Sequence, residues 1–80
     1  MEIQRTARLT KGNRERWYDI CKNSQGFNVQ RNGRTLRGRL DKYGAIEIFN
    51  LYCMDDVEFR EWKIEEDFET LSFNQAECWG

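Results

Sequence analysis

The chain has 80 residues, enough for one small domain with a single hydrophobic core, and its eleven aromatic side chains supply large apolar areas for that core. It has no histidine, so the commonest acid–base catalyst is missing, and it has no run of eighteen apolar residues that would predict a membrane-spanning helix. The three cysteines are odd in number and widely spaced, without a CxxC pair, which disfavours both a disulfide framework and a zinc site.

These features predict a soluble, cytoplasmic protein that forms one compact domain over residues 1–80. Catalytic residues, metal ligands and cofactors are not expected, because no catalytic constellation and no Gly-rich phosphate loop is present. Free thiols that are buried or partly buried are the simplest interpretation of the cysteines.

The net charge of −1 conceals a strong asymmetry. Up to Lys42 the chain carries eleven Lys and Arg against four Asp and Glu, and from Tyr43 onward it carries two against ten. Such halves indicate either a charged partner or two halves that fold against each other, because opposite charges attract across neighbouring strands.

The first quarter of the chain has the pattern of two strands. Residues 2–9 alternate apolar and polar side chains, a Lys11-Gly12-Asn13 turn follows, and residues 14–22 are predicted to return as a strand. Trp17, Ile20 and Cys21 also fit helical spacing, so a helix stays an alternative for this second segment.

A β-hairpin is predicted around Asn32-Gly33, because this pair accepts the positive φ angles of a two-residue type I′ turn. In that register Arg31 faces Arg34, Val29 faces Leu36 and Phe27 faces Gly38.

The chain is then predicted to turn again at Lys42-Tyr43-Gly44 and to return as a third strand. This completes a meander over about residues 26–50, with Arg39 facing Glu47 and Arg37 facing Phe49. Its inward apolar side chains are Phe27, Val29, Leu36, Leu40, Ile46 and Ile48.

The acidic second half predicts a short helical turn, with Asp55 or Asp56 as its N-cap, and then a strand through Trp62 and Ile64. Ser72 with Gln75 matches a capping box for a last helical turn. The fold class expected from these elements is α+β, a small antiparallel sheet with one or two short helices. Trp62 is expected to be a core anchor.

The segment LYCMDDVEFREWKIEED, residues 51–67, resembles the ending of small phage domains in which a short acidic helical segment leads into a last strand containing Trp. It is similar to the ending of the phage anti-Thoeris sponge family, which binds signalling nucleotides. The matching positions are Asp55, Asp56, Trp62, Ile64 and the pair Glu65–Glu66. The resemblance implies a compact phage or mobile-element protein. The family's ligand-binding residues cannot be transferred to this sequence, because its amino-terminal half lacks that family's opening helix and Gly-Trp-rich loop.

The leading functional hypothesis is a non-enzymatic phage or mobile-element protein that inhibits a host defence or regulatory protein by stoichiometric binding. An acidic patch would imitate nucleic-acid phosphates before a basic host groove, and its candidate residues are Asp55, Asp56, Glu58, Glu61, Glu65 and Glu66.

Three alternatives stay open. A nucleic-acid binder would use a basic patch, a sponge would bind a small signalling nucleotide, and a homodimer would pair the basic half of one copy with the acidic half of another. The candidate residues of the basic patch are Arg14, Arg16, Arg31, Arg34 and Arg37.

Overall fold

A computed structural model describes residues 2–71 and residue 73. Within this part the chain forms a five-stranded antiparallel sheet and one α-helix, so the α+β class is confirmed and one helix is present. The elements are β1 (Glu2–Lys11), β2 (Arg14–Asn23), β3 (Gly26–Arg31), β4 (Arg34–Leu40), α1 (Lys42–Phe59) and β5 (Lys63–Glu69).

The strands lie in the order β4-β3-β2-β1-β5, so the first four form a continuous meander and the last strand pairs with the first. The long α1 connection carries the chain from one edge of the sheet to the other. This topology places the acidic strand β5 directly beside the basic strand β1, and it leaves the basic strand β4 at the opposite edge.

The β1–β2 hairpin is confirmed, and the helical alternative for residues 14–22 is wrong. Gly12 takes a positive φ of 62° at the turn, and Lys11 faces Arg14 beyond it. The alternation is set by burial, because Leu9, Tyr18 and Ile20 point into the core while their neighbours point away.

The turn at Asn32-Gly33 is also confirmed, with φ angles of 50° and 81° at these two residues and Arg31 facing Arg34. Farther from the turn the register differs from the prediction. Irregularities in the ladder place Val29 opposite Arg37 and Phe27 opposite Leu40.

The predicted third strand of the meander is wrong, because residues 42–59 form helix α1. Asp41 is the N-cap, and its carboxylate accepts a hydrogen bond from the Gly44 backbone N–H at 2.7 Å. Ala45, Phe49 and Cys53 recur at every fourth position and are all buried against the sheet. An alternating strand would place Glu47 and Leu51 on the same face as these three side chains, but both are exposed, so the burial pattern is helical.

The helix overturns three further expectations. Glu47 and Phe49 are not cross-strand neighbours of Arg39 and Arg37, and the Phe49 ring instead lies under the Arg5 guanidinium, 4.3 Å from its centroid. Asp55 and Asp56 lie near the end of α1 instead of starting a helical turn.

The helix covers one face of the sheet, and the core lies between the two layers. Trp62 is 5% exposed within this core, as predicted, and Cys21 and Cys53 are buried free thiols. The opposite face of the sheet carries the exposed side chains Trp17 and Phe68. The core consists of Ala7, Leu9, Tyr18, Ile20, Val29, Ala45, Phe49, Cys53, Trp62 and Phe73.

The predicted capping box at Ser72 and Gln75, and the third cysteine, Cys78, lie outside the described residues. Over residues 2–71 and 73, none of the helical structure is both long and apolar enough for a membrane span.

Candidate binding surfaces

Much of the charge asymmetry is neutralised where β5 lies beside β1. The Arg5 guanidinium donates to Asp67 at 2.8 Å and lies 3.8 Å from Glu69, and Arg8 contacts Glu66 at 3.0 Å. Basic and acidic halves therefore meet inside one molecule along this pair of strands, as expected for one of the two interpretations of the asymmetry.

A buried polar cluster joins the end of α1 to β2, and we call Arg16, Tyr18 and Asp56 the interior cluster. Arg16 Nη1 donates to Asp56 Oδ1 at 2.8 Å, and the Tyr18 hydroxyl donates to Asp56 Oδ2 at 2.6 Å. The Arg16 guanidinium also lies over the Trp62 ring, 4.3 Å from its centroid. These bonds satisfy a carboxylate that folding removes from water.

Two residues predicted for surface patches therefore belong to the interior. Asp56 is only 2% exposed, so it cannot belong to an acidic surface patch. Arg16 is held by the Asp56 carboxylate and by Trp62, so it is not a free member of the basic patch. Their ionic pairing satisfies a requirement of the fold, because a buried charge needs a partner.

Tyr18 belongs to this cluster, but the sequence did not predict that its hydroxyl would take part in a buried hydrogen-bond network. Burial, together with its hydrogen bond to Asp56, raises the pKa of the Tyr18 hydroxyl above its ordinary value of 10.0. The ring stacks on Tyr52 at a centroid distance of 5.9 Å. Tyr18 is thus a neutral hydrogen-bond donor at physiological pH, with a structural role.

The remaining predicted acidic residues lie on two neighbouring parts of the chain. Asp55 pairs with Arg60 at 3.2 Å, while Glu58 and Glu61 are exposed near the same end of α1. Glu65 and Glu66 lie on β5, where Thr10 donates to Glu65 at 3.0 Å and Arg8 pairs with Glu66. The structure therefore divides the predicted set between the end of the helix and the sheet edge.

A surface that the sequence did not predict runs along the outside of α1. Tyr43, Leu51 and Met54 are 58%, 59% and 46% exposed, and the exposed carboxylates Glu47 and Glu58 lie on the same face. We call these five residues the outer α1 surface. Their positions match helical spacing on the side opposite Ala45, Phe49 and Cys53. The sequence places these five residues on one face only if the segment is a helix, so the predicted strand concealed this surface.

A groove of about 280 Å³ adjoins this surface, lined by Ile48, Leu51, Tyr52 and Asp55. Its lining combines apolar side chains with one carboxylate at the rim. The outer α1 surface and this groove form a continuous area in which apolar groups lie among acidic ones.

The arginines of the β3–β4 hairpin have a different environment from those of β1 and β2. Arg31, Arg34, Arg37 and Arg39, which we call the hairpin arginines, form no ion pair with any residue that the structure describes. Arg14 has no carboxylate partner in this part of the chain either, but its guanidinium lies 5.4 Å from the centroid of the Trp62 ring. Of the predicted basic patch, the structure thus brings Arg31 and Arg34 together at one turn.

These two arginines and Asn32 line a cavity of about 260 Å³ at the tip of the hairpin. The Asn32 side-chain oxygen accepts from the Trp17 backbone N–H at 2.9 Å, and the Asn32 N–H donates to the Trp17 carbonyl at 2.8 Å. The turn is therefore anchored to β2, and Asn32 is held in place at the cavity.

Nucleophilic chemistry finds little support among the buried thiols. Burial raises the pKa of Cys53 to about 12, so this thiol stays protonated at neutral pH and is a poor nucleophile and a poor metal ligand. Over residues 2–71 and 73, no three His, Cys, Asp or Glu side chains converge in a way that would hold a metal ion.

Comparison of the chain with protein-family models, with curated proteins and with solved structures found no match.

Proposed function

We propose that this protein is a non-enzymatic binding protein of a phage or mobile element, which blocks a host defence or regulatory protein by stoichiometric binding. The observation that carries the proposal is the outer α1 surface, where large apolar side chains are exposed together with carboxylates. The phage context rests on the sequence resemblance of residues 51–67.

The apolar content of α1 argues for a partner. An isolated surface helix normally presents a polar face to water, but here Tyr43, Leu51 and Met54 are each about half exposed on the side facing away from the sheet. Contiguous apolar surface of this kind on a small folded domain is typical of a protein–protein interaction site. Apolar anchors surrounded by charged groups also match the composition of interface centres and rims.

The charges indicate the chemistry of the partner. Glu47 and Glu58 have no ion pair among the described residues, and Asp55 and Glu61 add negative charge near the end of the helix. A partner that covers this area therefore carries a basic rim around an apolar centre, as the groove of a nucleic-acid-binding host protein does. The phosphate-imitating patch of the sequence hypothesis is retained with these residues in place of Asp56, Glu65 and Glu66.

Protein binding is favoured over the small-molecule sponge by the surroundings of the groove, which has a volume of about 280 Å³. The groove adjoins exposed apolar side chains instead of enclosing a ligand, which suits a protein surface better.

Photocrosslinking in host cells tests the proposal. A photoreactive phenylalanine analogue replaces Tyr43 on the outer α1 surface and, as a matched control, Phe68, an exposed aromatic residue on the opposite face of the sheet. We expect one dominant host-protein adduct from position 43 and little of it from position 68. Equal yields from the two positions, or an adduct only with a second copy of the chain, would contradict the proposal.

The identified partner then allows a quantitative test. Reversing two charges with Glu47→Lys and Glu58→Lys should weaken binding at least tenfold at low salt, because the basic rim of the partner would meet like charges. Glu15→Lys on the β1–β2 hairpin reverses one charge away from α1 and is the control for Glu47→Lys or Glu58→Lys alone; it should leave the affinity unchanged. An unchanged affinity for the α1 variant would reject the acidic contact.

A further inference from the structure

The hairpin arginines present an arrangement that the fold does not need. Arg31 and Arg34 face each other directly across the β3–β4 ladder, where like charges repel. By contrast, Arg5, Arg8, Arg16 and Arg60 all contact carboxylates. Arg31 also lies beside the Tyr18 hydroxyl, but neither arginine has a carboxylate partner among the described residues, and an uncompensated like-charge pair of this kind is typical of a functional site.

The cavity at the turn supplies a third donor. Because the oxygen of the Asn32 side chain is occupied by the Trp17 N–H, its amino group is left to donate to a ligand in the cavity. The cavity volume of about 260 Å³ greatly exceeds the roughly 30 Å³ that one water occupies in the liquid, so a tetrahedral oxyanion fits there with its water shell.

The geometry of the turn fixes the backbone that carries these donors in advance of binding. The positive φ angles of Asn32 and Gly33 define a tight two-residue turn, and two hydrogen bonds fasten it to Trp17. Arg31 is also placed beside the Tyr18 hydroxyl. A site whose backbone is already ordered loses less entropy when its ligand binds.

We propose that this cavity is a binding site for a phosphate group, which is held between the guanidinium groups of Arg31 and Arg34 and the side-chain amide of Asn32. Guanidinium groups match the oxygens of a phosphate and bind them through charge-assisted hydrogen bonds. The bound anion would also offset the repulsion between the two arginines. The site lies on a different element from the outer α1 surface, so it stands independently of the proposed protein partner.

NMR of the ¹⁵N-labelled full chain tests the site itself. Sodium phosphate is titrated against sodium chloride at matched ionic strength, and the amide signals of Asn32 and Gly33 and the side-chain Nε–H signals of Arg31 and Arg34 are followed. We expect saturable shifts with phosphate that are confined to this turn. Shifts no larger than those in chloride would overturn the proposal.

Three variants separate a specific site from general electrostatics. Arg34→Gln removes an exposed side chain with no described contact, so it should fold normally and lose the saturable response. Arg31→Gln should lose the response as well, with folding verified by thermal melting because Arg31 lies beside Tyr18. Arg37→Gln removes an equal charge from the same strand outside the cavity and should keep the response. An equal loss in Arg37→Gln would show that net charge, and not this cavity, binds the anion.

The source of the phosphate group is identified by two further titrations. Binding of a fluorescein-labelled dodecathymidylate is measured by fluorescence anisotropy. An unlabelled nucleoside triphosphate is then added as a competitor, and the displacement of the oligonucleotide is followed. If a single-stranded nucleic acid supplies the group, affinity falls with salt, and the Arg31→Gln, Arg34→Gln double variant reduces the log–log slope by about 0.7, because the two arginines neutralise one phosphate. If a free nucleotide supplies it, the triphosphate displaces the oligonucleotide at a lower concentration than the oligonucleotide itself binds. Binding of neither would overturn the site even if the α1 surface is confirmed.

Discussion

Arg16 and Arg34 lie two strands apart on one sheet, and the protein uses them in opposite ways. Arg16 is enclosed by Asp56, Tyr18 and the Trp62 ring in the interior cluster, whereas Arg34 faces another arginine at an exposed turn. Burial forces a charge to find a partner, because an unpaired charge in the interior costs several kcal/mol, on the order of the stability of a small domain. Exposure removes that requirement, so an unpaired arginine at the surface is free to serve a ligand.

The largest expected effect tests the interior side of this comparison. Replacing Asp56 with Ala leaves Arg16 and the Tyr18 hydroxyl without their acceptor and should lower the free energy of unfolding by about 3–5 kcal/mol. Urea unfolding followed by tryptophan fluorescence measures it. Asp55→Ala, which removes a neighbouring exposed carboxylate, is the control and should cost no more than about 1 kcal/mol. Equal losses would show that the cluster is not a stabilising feature.

A second prediction concerns alkaline pH, where the interior is again the sensitive region. The folded-state pKa of Cys53 is raised from 9.0 to about 12, so the unfolded chain loses this proton at a lower pH than the folded chain. The stabilising contribution is complete below pH 9 and is lost as pH rises toward 12, by up to about 1.4 kcal/mol per pH unit for this group.

The raised pKa values of Tyr18 and Cys21 act in the same direction. Cys53→Ala should therefore flatten the decline without abolishing it, as measured by urea unfolding at a series of pH values. A decline of unchanged slope in that variant would contradict the assignment to Cys53.

The smallest expected effect is a change in stability when the exposed Arg34 is replaced. Arg34→Glu converts the like-charge pair with Arg31 into an attractive one and should raise the free energy of unfolding by roughly 0.2–1 kcal/mol in low-salt buffer without phosphate. Arg37→Glu makes the same change of charge opposite Val29 and should give no such gain. A loss of stability in Arg34→Glu would mean that Arg34 has a structural role after all.

Local sequence signals predicted the hairpins well. The Asn32-Gly33 turn and the first two strands depend on residues within a few positions of each other, so the sequence contained what was needed. Trp62 as a core anchor and a strand after it were also predictable from the apolar pattern. These signals account for β1, β2, β3 and β5, and β4 is the strand that follows the Asn32-Gly33 turn.

The helix was missed because two periods compete in residues 45–50. Ile46 and Ile48 alternate with polar or small neighbours and favour a strand, whereas Ala45, Phe49 and Cys53 recur at helical spacing. The three residues after the capping Asp41, which begin the helix, were predicted to form a turn between two strands. Without the helix, neither the outer α1 surface nor the burial of Asp56 could be inferred.

The sequence by itself determined the turns at Gly12 and Asn32-Gly33, the alternation of most strands and the separation of basic from acidic residues along the chain, because each of these depends on residues close together in the sequence. Only the tertiary structure decided which charges are satisfied internally, because that depends on β5 lying beside β1 and on the end of α1 lying over β2. Contacts between residues forty or more positions apart, such as Arg16 with Asp56, have no local signature. Those contacts leave the arginines of the Arg31–Arg34 turn and the carboxylates Glu47 and Glu58 of α1 without an ion pair among the described residues.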